Sequence, residues 1–295
     1  MKLFRYGPPG QEKPGILRGE QRLDIAAFGE DYTEAFFAGD GLRRLAEFVR
    51  ANLSQLPEVA ATERLGPPVA RPSKIVCIGL NYSDHAREVG LTPPTEPVVF
   101  LKSTTALVGP FDDIMLPRNS VKTDWEAELA VVISKRTSYV TEAEAADCIA
   151  GYTLHNDVSE REFQLERGGT WTKGKGCDTF APLGPFLVTP DELDDVDNLR
   201  IWLTVNGQRK QQGTTANLIF KVPFLISYVS QFMTLLPGDV ISTGTPAGVG
   251  MGLQPPQYLQ AGDVVELGID GLGASRQVVR AYAQGGLPWS KLLRQ

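Results

Sequence analysis

Residues 122–133, Lys-Thr-Asp-Trp-Glu-Ala-Glu-Leu-Ala-Val-Val-Ile, set the tightest limit on how this chain can fold. Side chains on a strand alternate between faces, so Trp125, Ala127, Leu129, Val131 and Ile133 make one unbroken apolar face. Asp124, Glu126 and Glu128 crowd the start of the other face, which Ala130 and Val132 complete as core. Like charges on a half-buried face repel and lose hydration. A hard cation between them removes that penalty, and oxygen donors suit Mg2+ or Mn2+. The alternative is a strand whose first residues are solvated at a sheet edge.

The remainder of the chain can bury such a strand. Its 295 residues, 42% hydrophobic and 22% charged, suffice for a full core, as one large domain beside a small one. A net charge of −6 with no basic block gives no footprint for nucleic acid or an anionic membrane, so neither is expected as a partner. Cys77, Cys148 and Cys177 lie far apart without CxxC spacing and read as free thiols. No apolar leader opens the sequence, and no run reaches the ~18 apolar residues of a membrane helix. A soluble, cytoplasmic protein is the expectation. Thirty glycines and 21 prolines, spread along the chain, favour a turn-rich β architecture.

Residues 1–70 read as a small N-terminal α+β domain, with strands at 1–6 and 16–25 around a Pro/Gly turn. A helix near 41–53 follows, with Leu42, Leu45, Ala46, Val49 and Leu53 on one face. The Pro-rich segment 65–73 marks the boundary, and 71–295 is the second unit. A buried strand at 74–80 leads into a short helix where Ser83 or Asp84 can cap the start and Gly90 the end. His85 and Glu88, three apart, share a helix face, and a carboxylate beside an imidazole fixes its tautomer and raises its basicity. The pair suits water activation; an incidental surface ion pair is the bland alternative. The Pro-rich segment 91–97 could cover a site.

Further strands are expected at 97–101, 151–157, 199–205, 240–243 and 264–269, with helices at 142–150 and 223–233. Ser159 and Glu162 have capping-box spacing, which places Asp157 at a strand's end next to a helix start. Arg161 and Gln164 then lie three apart on that helix. His155 suits a satisfied core position better than a metal site. Residues 169–176 miss the phosphate-loop pattern, and 248–252 lack the third glycine of a dinucleotide fingerprint, although those glycines suggest backbone running close to a ligand. The sum is a β-rich α+β fold in which the acidic strand, the Asp157 turn and the loop 243–246 converge.

Several separated stretches, in order, resemble the fumarylacetoacetate hydrolase family over roughly residues 72–285. They are Gly-Leu-Asn-Tyr-Ser-Asp-His-Ala-Arg-Glu at 79–88, Asp-Trp-Glu-Ala-Glu-Leu-Ala-Val-Val at 124–132, and Gly-Tyr-Thr-Leu-His-Asn-Asp-Val-Ser-Glu-Arg at 151–161. Two more are Lys-Gly-Cys-Asp-Thr-Phe-Ala-Pro-Leu-Gly-Pro at 175–185 and Pro-Gly-Asp-Val-Ile-Ser-Thr-Gly-Thr-Pro-Ala-Gly-Val-Gly at 237–250. The resemblance implies a mixed β-sandwich or β-roll catalytic domain, usually a homodimer, with Mg2+ or Mn2+ held by Glu126, Glu128 and Asp157. It also implies a dyad of His85 and Glu88 on a lid, an active-site Lys175, and substrate contacts from Arg161, Gln164 and Thr245, with Tyr82 and Lys102 beside them. The implied reaction is hydrolysis of a carbon–carbon bond in a 2,4-diketo acid of the acylpyruvate type, to pyruvate and a second acid. The opening Met-Lys-Leu-Phe-Arg-Tyr-Gly is similar to members acting on 2,4-diketo-3-deoxy sugar acids such as the rhamnonate derivative. Oxaloacetate decarboxylation and isomerisation of ring-cleavage products are the alternatives within the family. A non-catalytic metal-binding protein is the alternative outside it.

Overall fold

In the computed structural model, which describes residues 1–88, 90 and 92–283, every residue of the strand Ala127–Ile133 is buried. Burial of both faces places the strand inside a sheet, and the solvated-edge alternative falls. Burying Leu129, Val131, Val132 and Ile133 contributes roughly 6–12 kcal/mol, at about 1.5–3 kcal/mol per side chain. That is enough to hold carboxylates in the same strand, provided their charge is met.

The acidic strand runs antiparallel to Ile149–Asn156 on one side and to Val240–Ser242 on the other. Val240–Ser242 pairs in parallel with Ile75–Gly79, which pairs antiparallel with the edge strand Val98–Lys102. On the far side Ile149–Asn156 meets Leu187–Val188, and that strand meets Lys2–Tyr6 of the N-terminal segment. Lys2–Tyr6 then continues into the hairpin Lys13–Arg18 and Gln21–Asp24. Residues 1–70 therefore share one ten-stranded sheet with the unit that follows them. A second, five-stranded sheet contains Arg200–Val205, Gln208–Thr214, Val264–Ile269, Gly273–Arg280 and Ile114–Met115. Leu129 and Val131 of the first sheet and Leu203, Val265 and Leu267 of the second belong to one core. The architecture is the β-rich, mixed α+β one expected.

Local differences have physical causes. The stretch 16–25 is a hairpin because Gly19, at φ 60°, turns the chain back. The helix expected over 142–150 stops at Ala145; Thr141 and Glu144 form its capping box, and a strand begins at Ile149. The helix expected at 223–233 is Val222–Ser230, with Pro223 in its first turn. Asn206 and Gly207, both at positive φ, make the tight turn between Arg200–Val205 and Gln208–Thr214. The stretch 122–133 is two strands. Thr123–Asp124 pairs with Ser159–Glu160, while Ala127–Ile133 joins the main sheet. That pairing removes the capping box expected at Ser159 and Glu162: Ser159 Oγ donates to the Asp157 carbonyl, and Glu160 accepts the Phe163 amide instead. All three cysteines are free. Among the described residues no helix is long and apolar enough to cross a membrane.

Candidate metal and active site

Three carboxylates converge where the sheet carries its acids. Glu126 and Glu128 come from the acidic strand, and Asp157 follows its neighbour Ile149–Asn156 directly. Cross-strand pairing of Ala127 with Asn156 and Glu128 with His155 fixes that register. One oxygen from each of Glu126, Glu128 and Asp157 lies within 4.8 Å of the others, and all three residues are buried.

Lys175, 2% exposed, donates to Glu126 Oε2 at 2.7 Å and to Asp157 Oδ2 at 2.9 Å. Lys102 donates to Asp157 Oδ1 at 2.5 Å. Arg161 Nε donates to Asp124 Oδ2 at 2.9 Å, and its Nη1 to Gln164 Oε1 at 3.1 Å. Its Nη2 lies 2.9 Å from Asp124 Oδ2 and 2.7 Å from Glu126 Oε1 at angles outside hydrogen-bond geometry, so these are charge contacts. Burial opposes the charge on Glu126, but Lys175 and Arg161 outweigh it and hold the carboxyl below its usual range. Burial likewise opposes Asp157, where Lys102 and Lys175 prevail and push the pKa far down.

Glu128 is different. It accepts hydrogen bonds from Ser242 Oγ at 2.5 Å and the Gly244 amide at 3.0 Å, with no cation at ion-pairing distance among the described residues. Burial, and then the charges of Asp157 and Glu126, push its carboxyl well above the usual range. An all-oxygen donor set short of one positive charge beside Glu128 fits a hard divalent cation, with Glu126, Glu128 and Asp157 as the groups to hold it. Its ligand oxygens are further oriented from behind, as such ligands usually are. Since the Ser242 hydrogen is committed to Glu128, the 2.7 Å contact between Ser242 Oγ and His155 Nδ1 makes that nitrogen the donor. His155 is fully buried, and burial pushes its pKa down to about 3, leaving it neutral. Its Nε2 has no partner, so the core position expected for it is satisfied at one nitrogen only.

His85 and Glu88 share the helix Ser83–Glu88, with His85 Nδ1 3.0 Å from Glu88 Oε2. The Gly248 amide donates to Glu88 Oε1 at 2.8 Å. The same loop donates its Gly250 and Met251 amides to the two oxygens of Asp124 at 2.7 and 3.0 Å. A Cβ on Gly252 would lie 2.6 Å from the Glu88 carboxyl carbon, and one on Gly248 would lie 2.0 Å from the Lys210 carbonyl oxygen. The close backbone approach inferred for these glycines is therefore to backbone carbonyls and carboxylates of the chain itself.

A cavity of about 250 Å³ gathers His85, Glu126, Glu128, Arg161, Gln164, Lys175 and Thr245 on its walls. Thr245 Oγ1 donates to the Ala127 carbonyl and accepts from Gln211. Two residues expected to touch substrate lie elsewhere. Tyr82 is fully buried off the cavity, its hydroxyl unpartnered. Lys102 sits off the cavity and closes an ion pair with Asp157, because its edge strand delivers the side chain to the far side of that carboxylate. Of the expected cover, Leu91 falls outside the described residues, and Glu96 accepts the Tyr228 hydroxyl at 2.7 Å. Sequence reasoning missed Asp124 as the anchor of Arg161, although strand alternation already put it on the acidic face. It also missed Ser242 and the wall residues Phe100 and Trp171, whose rings meet edge to face at 5.3 Å. Apolar identity alone does not separate such a wall from core.

Residues 74–280 match the family described as fumarylacetoacetate (FAA) hydrolase C-terminal, and the chain belongs to that family of hydrolases and isomerases. A protein of Burkholderia multivorans, named provisionally as a hydrolase, is 54% identical over 283 residues, covering 95% of this chain and 99% of its own. The fumarylacetoacetate hydrolase of psychrophilic Exiguobacterium antarcticum superposes with a TM-score of 0.84 at 34% identity, over 96% of this chain and all of that one. The maleylpyruvate hydrolase of Sphingobium sp. SYK-6, solved with manganese(II) and pyruvate, gives 0.79 at 30% identity over 96% of this chain and 100% of its own. The 2-hydroxyhepta-2,4-diene-1,7-dioate isomerase of Mycobacterium marinum gives 0.73 at 34% identity over 96% and 99%.

Proposed function

We propose that this chain is a divalent-cation-dependent hydrolase that cleaves a carbon–carbon bond in a 2,4-diketo acid of the acylpyruvate type, releasing pyruvate and a second acid. The observation that carries the reading is the buried triad of Glu126, Glu128 and Asp157, in which Glu128 meets no cation among the described residues, beside a cavity whose wall includes His85, itself paired with Glu88. The manganese and pyruvate in the Sphingobium enzyme support both the cation and the product. Mg2+ and Mn2+ suit the donor set equally.

When bound, the cation supplies Lewis acidity toward the substrate's carboxylate and 2-keto oxygen. Glu88, fixed by the Gly248 amide, occupies His85 Nδ1 and leaves the other ring nitrogen for the cavity. His85 takes a proton from the water whose oxygen bonds to C4 of the substrate. Lys175 donates toward the oxyanion formed there. The C3–C4 bond then breaks, C3 regains a proton, and the acyl part leaves as a carboxylic acid. Arg161 and Gln164 orient the substrate beside this centre.

Isomerisation is the second reading, supported by the Mycobacterium marinum relative. Pyruvate release from acylpyruvates, set against carbon dioxide release from oxaloacetate and isomerisation of a hydroxydienedioate, separates the readings. Pyruvate release should dominate and should depend on His85. The homodimer is proposed with this function; a solution mass of 32.2 kDa by light scattering would remove it.

A further inference from the structure

The polar and apolar parts of the cavity wall are unequal in what they leave free. Lys175 is engaged by Glu126 and Asp157, Arg161 by Asp124, Glu126 and Gln164, and Thr245 by Ala127 and Gln211. What remains is the second nitrogen of His85, the third hydrogen of Lys175 Nζ, Arg161 Nη2 and the amide nitrogen of Gln164. All four belong to the reacting centre and the groups that orient the substrate there. Apart from the carboxylates of Glu126 and Glu128, the other wall side chains among the described residues are apolar but for the indole N–H of Trp171: Ile78, Leu80, Phe100, Leu165, Trp171 and Met251. Leu80 stands at φ 55°, a conformation a leucine adopts only when its surroundings impose it, where the chain turns from Ile75–Gly79 toward the His85 helix. Trp171 is seated against Gly79, where a Cβ would lie 2.5 Å from its ring. These features fix an apolar wall in place.

Resting on the function proposed above, we infer that the acyl tail of the substrate is apolar, an alkyl or aryl group. Neither the hydroxylated tail of a sugar acid nor a tail ending in a second carboxylate matches this wall. A hydroxylated tail would lose water against Ile78, Leu80, Phe100 and Leu165, whose side chains offer no donor or acceptor in return. A distal carboxylate would need a cation, and both cations on the wall already face two carboxylates each. The tail preference therefore departs from the sugar-acid narrowing suggested by the opening residues.

The test compares pyruvate release from four diketo acids with Mn2+-loaded protein: acetylpyruvate, benzoylpyruvate, fumarylpyruvate and a 2,4-diketo-3-deoxyhexonate. kcat/KM for benzoylpyruvate should exceed that for the last two by about tenfold or more, the scale on which apolar pockets discriminate. Leu165→Arg, at the cavity mouth and 46% exposed, should raise kcat/KM for fumarylpyruvate and lower it for benzoylpyruvate. Equal or better turnover of the hexonate or of fumarylpyruvate by the unaltered protein overturns the inference while leaving the hydrolase reading intact. Binding gives an independent readout. By calorimetry with Mn2+, 4-phenyl-2-oxobutanoate should bind at least tenfold more tightly than 2-oxoglutarate, and the reverse order overturns the tail assignment even for a protein that releases no pyruvate. Absence of pyruvate from all four, with the binding order as expected, sinks the hydrolase reading and keeps the apolar tail site.

Discussion

Two carboxylate clusters in this molecule carry the same surplus of charge and distribute it in opposite ways. Under the N-terminal strands, Arg5 grips Asp31 with two bonds of 2.8 Å, and Arg64 grips Asp112 at 2.7 and 2.6 Å. The third acid, Glu12, lies against both arginines, at 3.0 and 3.6 Å. Around the smaller cavity, Lys102, Lys175 and Arg161 serve Asp157, Glu126 and Asp124, and the fourth acid, Glu128, meets no cation among the described residues. Each cluster has one carboxylate more than it has cations. In the first the excess is shared, and in the second it is concentrated on one buried group. The cavity beside Arg5, Glu12 and Asp31 is the larger, about 490 Å³ against about 250 Å³. The proposed site is therefore distinguished by unshared charge and not by volume.

The sharpest way to break this contrast is at Glu128. Glu128→Ala should lower pyruvate release by about 10⁴-fold or more, since a Lewis acid supplies several kcal/mol, and should abolish any rise in Tm on adding Mn2+. A variant that keeps its cation response would show that Glu128 is not where the missing charge sits. His85→Ala should lose about 10²–10⁴-fold in turnover, the range for a general base, and keep the full Mn2+ response; unchanged turnover would remove it as the base. Ser242→Ala takes one hydrogen bond from Glu128 and should raise the Mn2+ concentration needed for half-maximal activity by about 10–100-fold, read by metal titration. Chelation of the unaltered protein should remove about 2.7 kcal/mol of stability relative to cation at a hundred times its Kd, which calorimetry reads as a lower Tm. The smallest functional effect belongs to the other cluster. Asp31→Ala should lower stability by about 1–3 kcal/mol through the orphaned Arg5 and leave both turnover and the Mn2+ shift as they were.

Much of the cavity was legible because its signals are local. Strand alternation puts Glu126 and Glu128 on one face, helical spacing pairs His85 with Glu88, and Asp157 ends a strand that reads as one. What stayed hidden depends on partners far along the chain. Lys2–Tyr6 finds Leu187–Val188 more than 180 residues away, so no local pattern joins residues 1–70 to the main sheet. Ser159 has the spacing of a helix cap, yet pairing with Asp124 offers its backbone a strand partner and prevails. Lys102 looks like a loop residue free to meet substrate, and only the register of the edge strand brings it to Asp157. Glycines at 248–252 signal close approach, but not what is approached.

The loop 248–252 grips Glu88 with one amide and Asp124 with two. The histidine helix and the carboxylate that anchors the Arg161 guanidinium are thus tethered to the same five residues. A substitution that displaces this loop should therefore disturb the His85–Glu88 pair and the Asp124–Arg161 pair together.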